Sequence, residues 1–459
     1  MTLTVYPSAQ DVVSALDWHR IVTQRWFRRK DATYVRFDLI DGRPVFRGRS
    51  LHGWWLLIHA TTKNDSADYQ LPVLLTTNPC VRSSVFGTCR KGADTLQIVD
   101  GIGDASMLAS LLTTCDPEFE HGRVEARFQG DPLQIPDDVS VLSADSTNSL
   151  VRIANGHVLK IYRVLDAGGT REVDFLEALA QPRVASVPTL HASVEYRTGT
   201  DRRALALLQE WIDDAEDAWS WLTKLLANGP QNITDDVVAM ADAVGSVHAG
   251  LRRRGTRPWS KTDTKDLLSR VTAGLARAEL YIPDDAKLRK MLAHVRDYVE
   301  ADFDSESGCL QAVHGDLHLG QLLRQNAAGD SVRYYIIDFE GEPLAPPDER
   351  CAWHSPLKDV AGMLRSFDYA VGVARKAGAP GDDAVWNVWR AECERTFLAR
   401  YSIHSDDTKV DTDTLLALFV IEKVLYEIAY EATNRPNWID VPLGGLSRVV
   451  DRLRTLLNQ

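Results

Sequence analysis

The stretch Gln311–Pro343, QAVHGDLHLGQLLRQNAAGDSVRYYIIDFEGEP, decides the fold. Asp316 stands in a polar, glycine-containing loop, Gln321 follows five residues later, and the apolar run RYYIID ends at Asp338. Each residue alone is typical of a turn or a helix cap. Together, a loop carboxylate, an amide and a carboxylate at the end of a strand favour a catalytic loop and a metal-binding strand for phosphoryl transfer.

Phosphoryl transfer gives each of these side chains a task. A carboxylate in the loop, Asp316, orients an acceptor hydroxyl and takes its proton. Oxygen ligands of the kind that Gln321 and Asp338 provide suit Mg²⁺ held against nucleotide phosphates. His314 and His318 have the spacing of a metal pair, but Gly315 between them indicates a loop. The stretch therefore predicts ATP and Mg²⁺ as ligands.

Composition limits the remaining classes of function. The 459 residues carry a formal charge of −12, which disfavours nucleic-acid and anionic-membrane binding because both need a basic surface. The densest apolar run, Trp54–Ile58, is too short for a membrane span and is typical of a buried strand. Six cysteines without a CxxC pair and an N-terminus without a secretory pattern predict a cytoplasmic protein with free thiols.

The pattern along the chain predicts an α+β architecture. A β-rich part is followed by a small mixed part, and 3.6-residue periodicity dominates from about Asp213 onward. The predicted divisions are 1–100, 101–212 and 213–459. Within the first, Asp41-Gly42 in YVRFDLIDGRPVFRG predicts a turn between two strands.

Residues upstream of Gln311 are candidates for nucleotide binding. Lys160, in the strand HVLKIYR, can bind phosphates, although an exposed edge-strand lysine fits it equally well. Its acidic partner would come from GTREVDFLEALA, which contains Glu172, Asp174 and Glu177. The segment LALLQEWID predicts a buried strand that runs into the hinge between the two lobes. The backbone there would form hydrogen bonds with the edge of an adenine. The candidates in the phosphate loop SADSTNS and in the hinge are Ser146, Thr147, Asn148, Ser149, Gln209, Glu210 and Trp211.

The segments HGDLHLGQLLR, IIDFEGEP, ADSTNSLVRIANGHVLKIYR and EKVLYEIAYEATNRPNWIDVPL resemble those of bacterial maltokinases. These are aminoglycoside phosphotransferase-like small-molecule kinases with a bilobal, eukaryotic-protein-kinase-like fold. The resemblance is dense over 141–164 and 311–443 and thin elsewhere. It implies an N-terminal cap, an intermediate subdomain that completes the nucleotide-binding lobe, and a large helical C-lobe.

The resemblance also implies ATP- and Mg²⁺-dependent phosphorylation of maltose at its anomeric hydroxyl. Asp316 matches the family's base, Gln321 and Asp338 match its metal ligands, and Glu340 lies close by. The pathway of the maltokinase family suggests that the protein associates with a trehalose synthase.

On the nucleotide side, Lys160 matches the family's phosphate lysine. The acid that pairs with it matches Asp174 here, although the family usually has Glu. No GxGxxG loop is present, and the Ser/Thr/Asn loop takes its place.

The acceptor side is expected on EKVLYEIAYEATNRPNW. Lys423, Tyr426 and Tyr430 lie on one face of a helix, where tyrosine rings can stack against sugars, although the spacing alone favours an ordinary core. The resemblance favours the sugar-binding interpretation. The other acceptor-side candidates are His318, Arg324, Asp359, Arg365, Glu427 and Trp438. Asp359 and Arg365 either stabilise the catalytic loop or reach the sugar, and a structural anchor is the favoured role for Asp359.

Two alternatives stay open. Glu422, Glu427 and Glu431 could instead serve a cationic acceptor such as glucosamine or an aminoglycoside. A kinase fold without activity is disfavoured, because the base, the metal ligands and Lys160 are all present.

Overall fold

The computed structural model describes residues 6–27, 34–47, 50–77, 85–92, 94–112, 119–142, 148–154, 156–166, 170–281, 286–300, 308–327, 331–342, 350–404 and 412–457. The chain divides into two compact units. The first contains residues 1–177 and 188–213, and the second contains 178–187 and 214–459. The separation of a cap from an intermediate subdomain inside the first unit stays a prediction. Among the helices in the described ranges, none has the length and apolar character to cross a membrane.

The first unit is built from two antiparallel six-stranded sheets. One has the order β1-β2-β3-β5-β4 with β10 beside β3, and the other has the order β6-β11-β12-β9-β8-β7. The strands are β1 Tyr34–Arg47, β2 Ser50–Thr62, β3 Ser66–Thr76, β4 Val85–Lys91, β5 Asp94–Asp100, β6 Arg123–Phe128, β7 Val139–Leu142, β8 Ser149–Ile153, β9 His157–Ile161, β10 Val164–Leu165, β11 Leu190–Thr198 and β12 Asp201–Glu210. The helices are α1 Ala9–Ser14, α2 Trp18–Val22, α3 Ala105–Leu112 and α4 Arg171–Ala180, of which residues 178–180 belong to the second unit.

Strand β2 shows how the first unit forms its core. Successive side chains of a strand point to opposite faces. Trp55 and Leu57 accordingly join one apolar cluster, which includes α3 and residues of both sheets. Leu56 and Ile58 join a second cluster with α1 and α2. The apolar run WWLLI is therefore a strand buried on both faces, as predicted.

The expected turn at Asp41-Gly42 is wrong, because both residues lie inside the continuous strand β1. The carboxylate of Asp41 is buried and accepts hydrogen bonds from the backbone N–H groups of Glu120, His121 and Gly122, at 2.9–3.0 Å. It also accepts one from the Tyr196 hydroxyl at 2.8 Å. Asp41 thus anchors the segment before β6 rather than shaping a turn.

The second unit is mainly helical. Its helices are α5 Ala218–Leu226, α6 Thr234–Arg252, α7 Lys261–Glu279, α8 Ala286–Glu300, α9 Leu357–Lys376, α10 Asp383–Tyr401, α11 Thr412–Asn434 and α12 Asp440–Leu457. Its strands are β13 Ala215–Asp217, β14 Thr256–Pro258, β15 Cys309–Gln311, β16 Leu322–Asn326 and β17 Val332–Ile336. Strands β16 and β17 form an antiparallel pair that frames the catalytic-loop candidate, because β15 precedes that loop and β16 follows it.

Candidate active site

The loop between β15 and β16 is held by one buried carboxylate. Asp359, near the start of α9, accepts hydrogen bonds from the backbone N–H groups of His314 at 2.6 Å and Gly315 at 2.7 Å. His248 Nε2 lies 2.9 Å from the same carboxylate, and its Nδ1 lies 2.8 Å from the Tyr401 hydroxyl. Burial alone would raise the pKa of Asp359, but its hydrogen bond with His248 and the nearby histidines outweigh burial and lower it to about 2. The ionised carboxylate therefore fixes the loop backbone.

Two small residues of α9 bring the helix against this loop. A Cβ atom at Gly362 would lie 2.1 Å from the carbonyl oxygen of Leu317, so only glycine fits there. One turn later, the Ser366 hydroxyl accepts a hydrogen bond from the Leu319 N–H at 3.2 Å. The loop carrying Asp316 is thus positioned by helix α9 as well as by its own turn.

The predicted base meets the predicted acceptor helix. Lys423 Nζ, on α11, donates to Asp316 Oδ1 at 2.9 Å, and both side chains are mostly buried. The Tyr426 and Tyr430 rings stack at 6.1 Å, and Lys423 Nζ lies 5.1 Å from the Tyr426 ring centre. The structure therefore brings the three residues of the predicted helix face together beside Asp316.

Carboxylates dominate the electrostatics of this face. Burial disfavours the charged form of Lys423, but Asp316 and Glu342 outweigh burial and raise the pKa of Lys423 above its usual range. Burial, followed by Glu342, raises the pKa of Tyr426 to about 12, so its hydroxyl stays a neutral donor at physiological pH. Burial lowers the pKa of His318, whose Nδ1 accepts from the Gly320 N–H at 3.0 Å. A role for His318 at the acceptor stays a prediction.

The metal-side candidates flank the paired strands β16 and β17, since Gln321 directly precedes β16 and Asp338 and Glu340 follow β17. Gln321 is tied to the strand by the hydrogen bond from the Ile337 N–H to its carbonyl at 3.0 Å. Asp338 has a positive φ of 64°, a backbone conformation that is uncommon outside glycine. Carboxylate oxygens of Asp338 and Glu340 lie within 4.8 Å of each other. One hard cation can contact both carboxylates at that spacing, and the amide and carboxylate oxygens suit Mg²⁺.

Lys160 in the first unit is buried in an ion pair. Its Nζ donates to Glu172 Oε2 at 2.7 Å, and the Tyr162 hydroxyl donates to the same oxygen at 2.7 Å. The prediction that Asp174 is its partner is wrong, because Asp174 accepts two hydrogen bonds from Arg202 at 2.9 and 3.0 Å. Both acids lie in the first turn of α4, but the helix directs Glu172 into the core of the unit and leaves Asp174 at its surface.

Several nucleotide-side candidates are occupied by contacts within the protein. The Ser149 hydroxyl is buried and accepts from Arg163 Nε at 2.8 Å, and the expected role of Ser149 toward phosphate stays a prediction. The N–H groups of Glu210 and Trp211 donate to Thr189 and Gly156 carbonyls, each at 2.8 Å, which leaves neither N–H for an adenine. Ser146 and Thr147 lie outside the described residues, and the proposed roles of Asn148 and Gln209 stay predictions.

Three acceptor-side candidates form contacts within the protein, and a contact of Arg324 or Arg365 with an acceptor stays a prediction. Asp359 is the buried loop anchor described above, which is the loop-stabilising role expected for it. Arg365 is also buried and donates to Glu427 at 2.6–3.3 Å and to Asp368. Arg324 donates to Asp236 at 2.7 Å and lies over the Trp221 ring.

The last two acceptor-side candidates lie on or just after α11. The Glu427 carboxylate pairs with Arg365, so its expected contact with an acceptor has no support. Trp438 lies in the 3₁₀ turn Pro436–Trp438, with Lys376 Nζ 5.8 Å from its ring centre. Its role as a wall of the sugar site stays a prediction.

Sequence reasoning did not assign three residues of these networks. No role was assigned to Glu342, although it lies in the segment IIDFEGEP. Glu172 was named as a partner of Lys160 but not chosen. His248 lies in an ordinary-looking amphipathic helix, α6, and no local pattern distinguishes it.

The fold and site together define a phosphotransferase. Residues 138–392 match the phosphotransferase enzyme family, and since this is more than half of the 459 residues, the chain belongs to that family. The predicted α+β, kinase-like fold with a large helical C-terminal region is thereby confirmed.

Among the individual relatives, the chain is similar to two glucosamine kinases. It is 28% identical to that of Streptacidiphilus jiangxiensis over 316 residues, 65% of this chain and 70% of the relative. It is 28% identical to that of Mycolicibacterium smegmatis over 329 residues, 68% and 79% of the two chains.

A solved glucosamine kinase in complex with glucosamine, ADP and inorganic phosphate has the same fold. The TM-score is 0.71 at 23% identity, covering 97% of this chain and 100% of the other. These relatives are glucosamine kinases rather than maltokinases.

Proposed function

We propose that the protein transfers the γ-phosphoryl group of ATP to a hydroxyl group of a small amino sugar of the glucosamine type. The observation that carries the proposal is the hydrogen bond between Lys423 and Asp316. It places a helix face with two stacked tyrosine rings beside the candidate base. The names of the two relatives support glucosamine over the maltose that the sequence resemblance suggests.

The charge around Asp316 suits a cationic acceptor. Glu342 lies close enough to raise the pKa values of Lys423 and Tyr426, and no arginine offsets it among the contacts described for the second unit. Its ion-pair partner, Lys358, lies 3.6 Å away, beyond hydrogen-bonding distance. Glu342 is therefore the carboxylate that we assign to the ammonium group of an amino sugar.

Asp316 would then act as the base. Its Oδ1 is held by Lys423, which leaves the second oxygen to accept a proton from the sugar hydroxyl. The Tyr426 ring supplies an apolar surface for sugar C–H groups, and its neutral hydroxyl supplies a hydrogen bond. Because phosphoryl transfer depends mainly on positioning, the anchoring of the loop by Asp359 matters as much as the base itself.

Gln321, Asp338 and Glu340 would hold Mg²⁺, and their oxygen donors fit that ion. A bound Mg²⁺ would neutralise charge on the nucleotide phosphates. Lys160, held by Glu172, would act as a fixed cation toward nucleotide phosphates. With these roles, the proposed function is that of an ATP- and Mg²⁺-dependent sugar kinase.

Maltose is the second candidate, and one observation favours it. Tyr426 and Tyr430 present two successive rings, of which Tyr430 is 39% exposed. Two aromatic faces along one helix suit a disaccharide better than a single sugar ring.

A substrate panel tests both candidates. ADP release with ATP and Mg²⁺ would be measured for glucosamine, N-acetylglucosamine, glucose, maltose and kanamycin, and NMR would locate the phosphate on the product. We expect glucosamine to react fastest and acetylation of its amine to lower kcat/KM strongly. If N-acetylglucosamine or maltose reacts as well as glucosamine, the assignment of Glu342 to an ammonium group is wrong.

A further inference from the structure

Tyr162 shares the carboxylate that holds Lys160. The lysine ammonium and the tyrosine hydroxyl both donate to Oε2 of Glu172, each at 2.7 Å. Lys160 is 7% exposed, Tyr162 2% and Glu172 1%, so solvent screens these contacts very little. The proposed function uses the lysine and the glutamate, but it gives the tyrosine hydroxyl no task.

The positions of the two residues along the chain explain why both meet helix α4. Lys160 lies in β9, Tyr162 directly follows that strand, and residues two positions apart in an extended chain point to the same side. The Nζ atom of Lys160 lies 5.5 Å from the centre of the Tyr162 ring, within the range of a cation–π interaction. The tyrosine therefore contacts both members of the ion pair, the ammonium with its ring and the carboxylate with its hydroxyl.

The backbone of Tyr162 is held by the first sheet, the one that contains β1 to β5. Gln70, in β3, is fully buried, and its side-chain NH₂ group donates to the carbonyl oxygens of Tyr162 and Leu205. Only the NH₂ end of an amide can serve two carbonyl acceptors, so the orientation of this side chain is fixed. The backbone N–H of Gln70 donates to the Arg163 carbonyl at 3.0 Å. Strand β3 therefore fixes the chain two residues after Lys160.

We propose that Tyr162 is a positioning residue for Lys160 in nucleotide binding, and that the first sheet maintains its position through Gln70. This inference rests on the proposed function, because it concerns the cation that would meet the nucleotide phosphates. A lysine ammonium has three donors on a flexible stem. It can bind Glu172 and a phosphate oxygen together only where the carboxylate stays in place. The tyrosine hydroxyl restrains that carboxylate without adding a charge.

Calorimetric titration without sugar tests the role of the hydroxyl. The ligands are a non-hydrolysable ATP analogue with Mg²⁺ and, separately, adenosine. Tyr162→Phe keeps the ring and removes the hydroxyl. We expect it to bind the analogue about tenfold more weakly than the wild type, the lower end of what a hydrogen bond to a charged group contributes. Adenosine binding should stay unchanged, because adenosine has no phosphate for Lys160. Equal affinity of the two proteins for the analogue, or an equal loss for both ligands, would overturn the proposal.

Tyr196→Phe is the matched control. Tyr196 is also buried in the first unit, and its hydroxyl also donates to a carboxylate, that of Asp41 at 2.8 Å. We expect this variant to bind the analogue like the wild type. If it loses as much affinity as Tyr162→Phe, the effect comes from removing any buried hydrogen bond, and Tyr162 has no special role.

A double-mutant cycle shows whether Tyr162 acts through Lys160. In a Lys160→Met background, Tyr162→Phe should weaken binding of the analogue no further, because the cation that it positions is absent. A further loss of about tenfold there would refute positioning of the lysine.

Gln70→Met tests the contribution of the first sheet and replaces Tyr162→Phe if circular dichroism shows that the latter does not fold. It removes both hydrogen bonds of the side chain at a similar side-chain length. We expect several-fold weaker binding of the analogue and unchanged binding of adenosine. Wild-type affinity for the analogue would refute the role of the sheet.

The outcomes separate this inference from the proposed function. If the wild type does not bind the ATP analogue, the assignment of ATP is wrong, and the role of Tyr162 is refuted with it. If the wild type and Tyr162→Phe bind the analogue equally while glucosamine is phosphorylated, only the inference about Tyr162 is refuted.

Discussion

Replacing Lys423 by methionine removes the ammonium group that donates to Asp316 while keeping a similar side-chain length. The lost contact is a 2.9 Å hydrogen bond between charged groups that are only 25% and 16% exposed, so solvent screens it little. A hydrogen bond of this kind contributes about 1.5–3 kcal/mol. If it acts on the transition state, kcat/KM for the sugar falls by about 10- to 150-fold.

The assay is steady-state kinetics with the sugar and ATP varied in turn. We expect Lys423→Met to lower kcat and raise the sugar KM, with little change in the KM for ATP. Arg270→Met is the matched control, because it removes a 2.6 Å ion pair with Glu422, the residue next to Lys423 on the same helix. A change confined to the ATP KM, or an equal loss in both variants, would refute the placement of the acceptor on α11.

Three further predictions concern the base, the lysine pair and the loop anchor. Asp316→Asn should lower kcat, measured as ADP release, by about 10²- to 10⁴-fold. Near-native turnover in this variant would refute the assignment of Asp316 as the base. Glu172→Gln should raise the ATP KM, while Asp174→Asn should not; the reverse result would restore the pairing expected from sequence. Asp359 has a pKa of about 2 against about 3.9 in an unfolded chain, so its ionised form contributes about 2–3 kcal/mol at neutral pH. That contribution is lost as pH falls from about 4 to 2, and denaturant titrations should show a steeper acid loss for wild type than for Asp359→Asn.

Local patterns predicted the parts of the site that lie on a single element. Helical spacing correctly placed Lys423, Tyr426 and Tyr430 on one face, because i, i+3 and i+7 positions coincide on any helix. The run WWLLI was recognisable as a buried strand for a similar reason. Such predictions need no knowledge of what packs against the element.

The errors came from contacts between distant parts of the chain. Asp41-Gly42 has the composition of a turn, but the Asp41 carboxylate is used by backbone groups about 80 residues away. For Arg365, a role in the loop and a role at the sugar both stayed open, because nothing local reveals its buried partner Glu427, which lies 62 residues later. Asp174 was chosen over Glu172 from the resemblance, and the sequence does not show which side of α4 meets β9.

The most direct test of the central claim is transfer of label from ATP carrying a radioactive γ-phosphate. We predict that, with Mg²⁺ present, the label appears on glucosamine, with a kcat/KM at least about tenfold above that for maltose. Label found only in inorganic phosphate, or on maltose in preference to glucosamine, would contradict the proposal that this phosphotransferase acts on an amino sugar.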